Sequence, residues 1–160
     1  MTIHAILVAG DTPDEVKQAG LRLTVHVAID NYRLQQVLDY IGDERGGSTA
    51  GRVFLMQNGI AGRVYRTGKP YAAKRFSEDY EDYVSELVEK WHYVEQDARK
   101  LNPATRAWMA APLALPGSKI QGILYLDSKD RDYFSAACRQ VVVGAAYGVA
   151  RFATQRYSNV

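Results

Sequence analysis

The residues of this chain that could do chemistry fall into a few groups, and their spacing sets what each could do. Arg22, Thr24 and His26 alternate with Leu21, Leu23, Val25, Val27 and Ile29. Period-two alternation puts the three polar side chains on one face of a strand and the apolar ones on the other. Gln121, Tyr125 and Asp127 alternate in the same way with Ile120, Gly122, Leu124 and Leu126. Two such strands side by side would present a mixed polar floor of the kind a small polar ligand needs. A partly solvated sheet face with no ligand gives the same pattern, and both readings stand.

The second group is aromatic: Tyr80, Tyr83, Trp91, His92 and Tyr93. Flat faces over a sheet could stack on a planar ring, with His92 donating or accepting a hydrogen bond. The helical spacing of Tyr83 and Trp91 favours an ordinary core face, whereas His92 and Tyr93 fall off that stripe toward pocket or solvent.

Other chemistries find little support. The three histidines, His4, His26 and His92, lie in different elements without metal-ligand spacing, so no metal is expected. His26 as a base or Cys138 as a nucleophile would lack an orienting partner, and Cys138 sits in an apolar helical stripe, as inert core thiols do. No enzyme and no cofactor are expected. Arg45–Gly51 is glycine-rich but lacks the Gly-Lys-Ser/Thr ending of a phosphate loop. Arg63, Arg66, Lys69, Lys74 and Arg75 could draw an anion, or could be scattered surface charge.

These residues need elements to hold them. The stretch 106–134 reads as two buried strands joined by Pro116-Gly117-Ser118-Lys119, then a charged break, then Ser135 as a cap for a closing helix over about 136–157. The expected apolar set of that helix is Cys138, Val141, Val142, Ala145, Val149, Phe152 and Ala153, and Gly144 and Gly148 within it imply a close neighbour. Pro13, Asp14 and Glu15 open a helix that Gly20 ends. Ile3–Ala9 could be a strand or a short helix. A strand over 21–29 turns at Asp30-Asn31-Tyr32 and returns over 34–41. A flexible loop over 43–50 and short extended runs at 51–56 and 71–76 follow. Gly59-Ile60-Ala61-Gly62 starts a helix stopped by Gly68 and Pro70. From Ser77 a second helix runs to about Lys100, with a break near His92 and with Glu78 and Asp79 in its first turn.

Composition bounds the class. With 160 residues, 47% hydrophobic and 24% charged, the chain fits one α+β domain, 1–160, with residues 1–20 an uncertain N-terminal extension. A net charge of +2 is too mild to imply nucleic acid or membrane binding, and no run approaches the roughly 20 apolar residues of a membrane span. One cysteine agrees with a reducing, cytoplasmic setting.

In order and spacing, several motifs together resemble a GAF domain. They are Gly59-Ile60-Ala61-Gly62-Arg63-Val64, Thr67-Gly68-Lys69-Pro70, Met109-Ala110-Ala111-Pro112-Leu113, Gly122-Ile123-Leu124-Tyr125-Leu126-Asp127-Ser128 and Phe134, covering about 51–155. The resemblance implies a central antiparallel sheet with terminal helices on one face and a ligand pocket under loops and short helices on the other. It implies a sensory or regulatory module that binds an unidentified small molecule through Arg22, Thr24, His26, Tyr83, Trp91, His92, Trp108, Gln121, Tyr125 and Asp127. It also implies homodimerisation through terminal helices. The alternative is a ligand-free interaction module whose pocket is filled by Tyr83, Trp91 and Trp108. The chain departs from several specialised members. It has one cysteine where the methionine sulfoxide reductases use several, and Cys138 is not where bilins attach. Lys74, Phe76, Asp79 and Glu81 only loosely echo the Asn-Lys…Phe…Asp-Glu signature of cyclic-nucleotide-binding members. Position 107, often serine, is alanine, and no long first helix is evident before Leu21.

Overall fold

A computed structural model describes residues 13–43 and 48–157. Ile3–Ala9 and residues 44–47 of the glycine-rich loop lie outside the described residues. The elements are α1 (Pro13–Ala19), β1 (Arg22–Ala28), β2 (Arg33–Gln36), β3 (Ile41–Gly42), β4 (Val53–Leu55), α2 (Gly59–Thr67), β5 (Tyr71–Lys74), α3 (Tyr80–Trp91), α4 (Glu95–Ala98), β6 (Ala107–Leu113), β7 (Gly122–Ser128) and α5 (Ala136–Tyr157). The strands form one antiparallel sheet in the order β4-β2-β1-β7-β6-β5, and β3 pairs the start of β1.

The sheet is the middle of three layers, and alternation along β1, β7 and β6 divides its side chains. Leu21, Leu23, Met109, Leu124 and Leu126 pack with Phe134 and with Val142, Ala146 and Ala150 of α5. On the other face Trp108, Ala110 and Ile123 pack with Ile60 and Val64 of α2 and with Tyr83, Val84, Leu87 and Trp91 of α3. Both faces are covered, so the strands carry buried residues at nearly every position. This is the α+β architecture expected.

The details differ in four places, each with a physical cause. The expected return strand over 34–41 is split. Between the pairs His26↔Gln36 and Leu23↔Ile41, β1 advances three residues and its partner five. The two extra residues form a bulge, pinned where Val37 N–H bonds Val25 O (2.9 Å) and where Thr24 Oγ1 and Gln36 Nε2 both donate to Leu38 O. In the main hairpin the connection is longer than four residues. β7 begins only at Gly122, so its alternation does not reach back to Ile120, which packs on the α3 side and not against α5.

α3 starts at Tyr80, because Asp79 is its cap and accepts from Glu81 N (2.9 Å) and Asp82 N (3.3 Å). It ends at Trp91, where His92 turns left-handed with φ 61°, and α4 is a separate turn. In α5 the buried face is Val142, Ala145, Ala146 and Ala150; Val141 and Phe152 are exposed. Nothing lies within 4 Å of a Cβ built on Gly144 or Gly148, so no described part of the chain fills the close approach expected there.

Two of the constrained glycines at α2 set its turns. Gly68 caps the helix at φ 67°, its N–H bonding Val64 O. Gly62 lies against the preceding turn, and a Cβ there would run into the Met56 carbonyl, to which Arg66 also donates. Gly62→Ala is therefore expected to cost about 1–3 kcal/mol, a few degrees or more in melting temperature, measured by thermal unfolding. An unchanged melting temperature would mean the α2 turn yields freely.

Candidate functional site

A cavity of about 380 Å³ lies between the sheet and the α2–α3 layer. Its floor follows from the register. Arg22 of β1 pairs across to Asp127 of β7, which pairs with Trp108 of β6, so one row of the sheet supplies three lining side chains. Tyr125 and His26 come from the rows beyond. Four-residue spacing in α3 aims Tyr83, Leu87 and Trp91 back at this floor. Tyr40, thrown inward beside the bulge, Phe54 of β4 and the start of α2 at Asn58-Gly59-Ile60 close one side. The segment after α4 frames another, with Asn102, Pro103 and Thr105.

The floor holds one ion pair. Arg22 Nε and Nη2 donate to Asp127 Oδ1 and Oδ2 at 2.8 and 2.9 Å, a two-pronged geometry in which both charges are buried. The guanidinium also lies 3.8 Å from the centre of the Tyr40 ring. Burial works against the Arg22 charge, and the Asp127 hydrogen bond and charge outweigh it, leaving its pKa above the ordinary arginine value.

Around the pair the groups are neutral. Burial first, then neighbouring charges and phenols, raise the hydroxyl pKa of Tyr40, Tyr83, Tyr93 and Tyr125 above the ordinary tyrosine value, that of Tyr93 to about 12. His26 is stacked between Phe54 (centroids 5.2 Å) and Tyr125 (5.6 Å), both nearly parallel to it. Burial lowers its pKa to about 4. Both of its ring nitrogens are buried without a partner, as are Asn58 Oδ1 and the Tyr83 hydroxyl oxygen.

His26 therefore predicts a pH dependence. Above pH 6.5 it is neutral in both folded and unfolded chains and contributes no slope. Below 6.5 the unfolded chain takes a proton that the folded one refuses, so stability falls steadily until about pH 4. At pH 5 the loss relative to pH 7 is about 2 kcal/mol. Urea unfolding of wild type and His26→Phe at both pH values measures it; an equal loss in the variant would place the effect elsewhere.

Of the ten residues singled out from sequence, seven line this cavity: Arg22, His26, Tyr83, Trp91, Trp108, Tyr125 and Asp127. The other three do not line it. Thr24 shares their face but is fully buried, its hydroxyl committed to Leu38 O at 2.7 Å. Gln121 precedes β7 and is exposed, its backbone N–H bonding Leu113 O. His92 is exposed as the left-handed cap of α3. Tyr40, Phe54 and Asn58 were missed, since they sit in short or irregular segments without periodicity, and Tyr93 resolves to the cavity wall.

The basic residues do not converge. Arg63 covers the Tyr71 ring, Lys74 pairs with Asp132, and Arg75 is buried among backbone carbonyls. Among the described residues no group of three His, Cys, Asp or Glu side chains could hold a metal, and no helix is long and apolar enough to cross a membrane.

The architecture is a two-faced antiparallel sheet with a closing helix on one side and a cavity under α2 and α3 on the other. Comparison with solved structures makes this specific: the fold is that of GAF domains. The chain is similar to the GAF domain of nlh2 from A. aeolicus, solved in an inactive state (18% identity, 96% of this chain and 92% of that one, TM-score 0.58). It is similar to the GAF-B domain of DevS from Mycobacterium smegmatis (15%, 99% and 100%, TM-score 0.59). It is also similar to the type II free methionine-R-sulfoxide reductase of Thermoplasma acidophilum (10%, 95% and 91%, TM-score 0.60). No protein-family model and no curated protein matches the chain.

Proposed function

We propose that this domain is a sensory or regulatory module that binds a small molecule between the sheet and α3 and passes the event to a partner or a linked domain. One observation carries the reading: Tyr83, Trp91 and Trp108 form walls around the 380 Å³ cavity and do not plug it. A volume of that order suits a ligand of metabolite size. The nlh2 GAF domain, solved in an inactive state, supports the reading by analogy of fold. The reductase neighbour marks the enzymatic alternative, but the single Cys138 lies in α5, on the far side of the sheet from the cavity. We therefore read the site as binding and not catalytic.

The outward face of α5 supplies the second element. Val141, Val143, Tyr147 and Phe152 are exposed there beside the open Gly144 and Gly148. Self-association through this face would link ligand occupancy to assembly, because β1 and β7 carry the cavity on one face and the α5 contacts on the other.

Native mass spectrometry of freshly purified protein tests the ligand. The expected result is a small-molecule adduct on the 17.9 kDa chain that is lost on denaturation. A crystal structure with Tyr83, Trp91 and Trp108 packed into the cavity would instead establish the ligand-free interaction module. For assembly, Gly148→Arg is expected to shift a dimer to monomer by light scattering with the fold intact; a wild-type monomer at all concentrations sinks that element.

A further inference from the structure

The chemical character of the cavity wall narrows what can enter, given the reading of the cavity as a ligand site on which this inference rests. We infer that the cavity takes the uncharged ring of a planar nitrogen heterocycle, one that carries a hydrogen-bond donor and an acceptor side by side on its edge.

The first argument is charge. Arg22 and Asp127 are the ionised groups on the floor, and each already holds the other through two hydrogen bonds. An anion entering there would compete with Asp127 for Arg22, and a cation would compete with Arg22 for Asp127. Either would also leave water without a new counter-charge, which is costly. The cations at the mouth are largely spoken for. Arg99 pairs with Glu81 (2.7 Å) and Glu95 (2.8 Å), and Lys100 pairs with Asp97 (2.8 Å). Arg52 is exposed at the mouth and supplies no counter-charge at the floor.

The second argument is the polar inventory. A neutral imidazole offers one donor and one acceptor. His26 has neither nitrogen satisfied, and Asn58 Oδ1 and the Tyr83 hydroxyl oxygen, on the same cavity wall, are also without partners. Native proteins seldom leave buried polar atoms in this state, and three residues around one cavity is a concentration that calls for a partner. An apolar ring would leave them all unmet. Gln36 is the internal rival, because it is the cross-strand neighbour of His26 and its Oε1 also lacks a donor. It could accept the imidazole N–H but cannot serve the acceptor nitrogen, so a donor on the ligand is still needed. Both nitrogens, Asn58 Oδ1 and the Tyr83 hydroxyl oxygen are enclosed as the wall stands, and uptake therefore includes a local shift of the wall around them. The third argument is shape. Trp91, Trp108, Tyr83 and Phe54 give flat faces, which favour a flat guest.

Three bicyclic probes of similar size test this: 7-azaindole, which is neutral with adjacent donor and acceptor; indene, which is apolar; and indole-2-carboxylate, which is anionic. Calorimetry on the full chain is expected to show 7-azaindole binding at least tenfold tighter than either of the others. In nitrogen-edited NMR of wild type, the His26 ring resonances should move on adding 7-azaindole. His26→Phe keeps the aromatic stack and removes the nitrogens, so it should lose at least tenfold toward 7-azaindole and little toward indene. Equal or tighter binding of indole-2-carboxylate overturns the neutral class, and equal binding of indene overturns the polar edge; both leave the cavity a ligand site. Binding of none of the three at millimolar concentration overturns this inference and the cavity reading together. Unmoved His26 resonances on binding overturn the role of His26 even if the variant fails to fold.

Discussion

Asp127→Ala is expected to lower unfolding stability by about 3–5 kcal/mol, because it strands the Arg22 guanidinium in the floor of the cavity. At this chain length that is on the order of 10 °C or more in melting temperature. The magnitude comes from what remains, not from what the pair contributes. Two buried charges lose much of their hydration on folding, and their attraction roughly restores it. Removing one partner keeps the desolvation cost of the other and takes away the compensation. Arg22→Met strands the carboxylate in the same way. The double variant Arg22→Met/Asp127→Leu removes both costs and should be closer to wild type than either single change. Denaturant unfolding of the four proteins gives the coupling directly. Additive losses in the double variant would show that the two side chains act independently and that the 2.8 and 2.9 Å contacts carry little energy.

Arg75→Ala should cost about 3 kcal/mol, and its loss should be local before it is global. Arg75 is only 5% exposed. Its Nε donates to Ser77 O (2.6 Å), Nη1 to Pro103 O (2.8 Å) and Nη2 to Glu78 O (3.0 Å), with Asp79 O further at 3.4 Å. The guanidinium also rests 4.1 Å from the Tyr83 ring centre. One side chain thus ties the entry of α3 to the segment at the cavity mouth. Asp79 O also accepts from Tyr83 N (3.1 Å), but a lysine ammonium cannot address the carbonyls of Ser77, Glu78 and Pro103 in one plane, so Arg75→Lys should rescue little. Hydrogen exchange in Arg75→Ala is expected to rise across 77–91 and near 103 while β1 and β7 stay protected. Uniform loss of protection would make Arg75 a general core residue; unchanged protection at 77–91 would remove its role as a clasp.

Much of the layer structure was legible because it is periodic. The alternation in 21–29 assigned Arg22 and His26 to one face and Leu21 and Leu23 to the other, and the structure has them there. The interior of β7 was read in the same way. Its beginning was not, because Ile120 and Gln121 continue the alternation in sequence after the backbone has left the ladder. The start of α3 was blurred because Ser77, Glu78 and Asp79 are all plausible near a helix start, and only backbone geometry selects Asp79. Its end was half legible: the break at His92 was expected, but a histidine at φ 61° carries none of the glycine signal that marked Gly68.

In the middle of α5, Val141–Ala150, every residue except Tyr147 is small or aliphatic, so the pattern there does not distinguish the buried face from the outward one. Val141 and Phe152 were consequently placed inside. The cavity was legible only where it borders regular elements. Tyr40, Phe54 and Asn58 belong to a bulge edge, a three-residue strand and a turn, where no period exists to read.

The two-residue bulge opposite β1 has a mechanical consequence. Beyond it β1 continues paired to β7 on one side while its other neighbour has slipped register, so three pairs, from His26↔Gln36 to Ala28↔Leu34, tie the outer strands β2 and β4 to the central sheet. Phe54, which covers one face of His26, rides on the outer flap, whereas Tyr125, on the opposite face of the same ring, belongs to the central sheet. The imidazole is therefore held between an edge strand with one paired neighbour and a central strand with two. A guest wedging against it would meet less hydrogen-bonded backbone on the β4 side than on the β7 side.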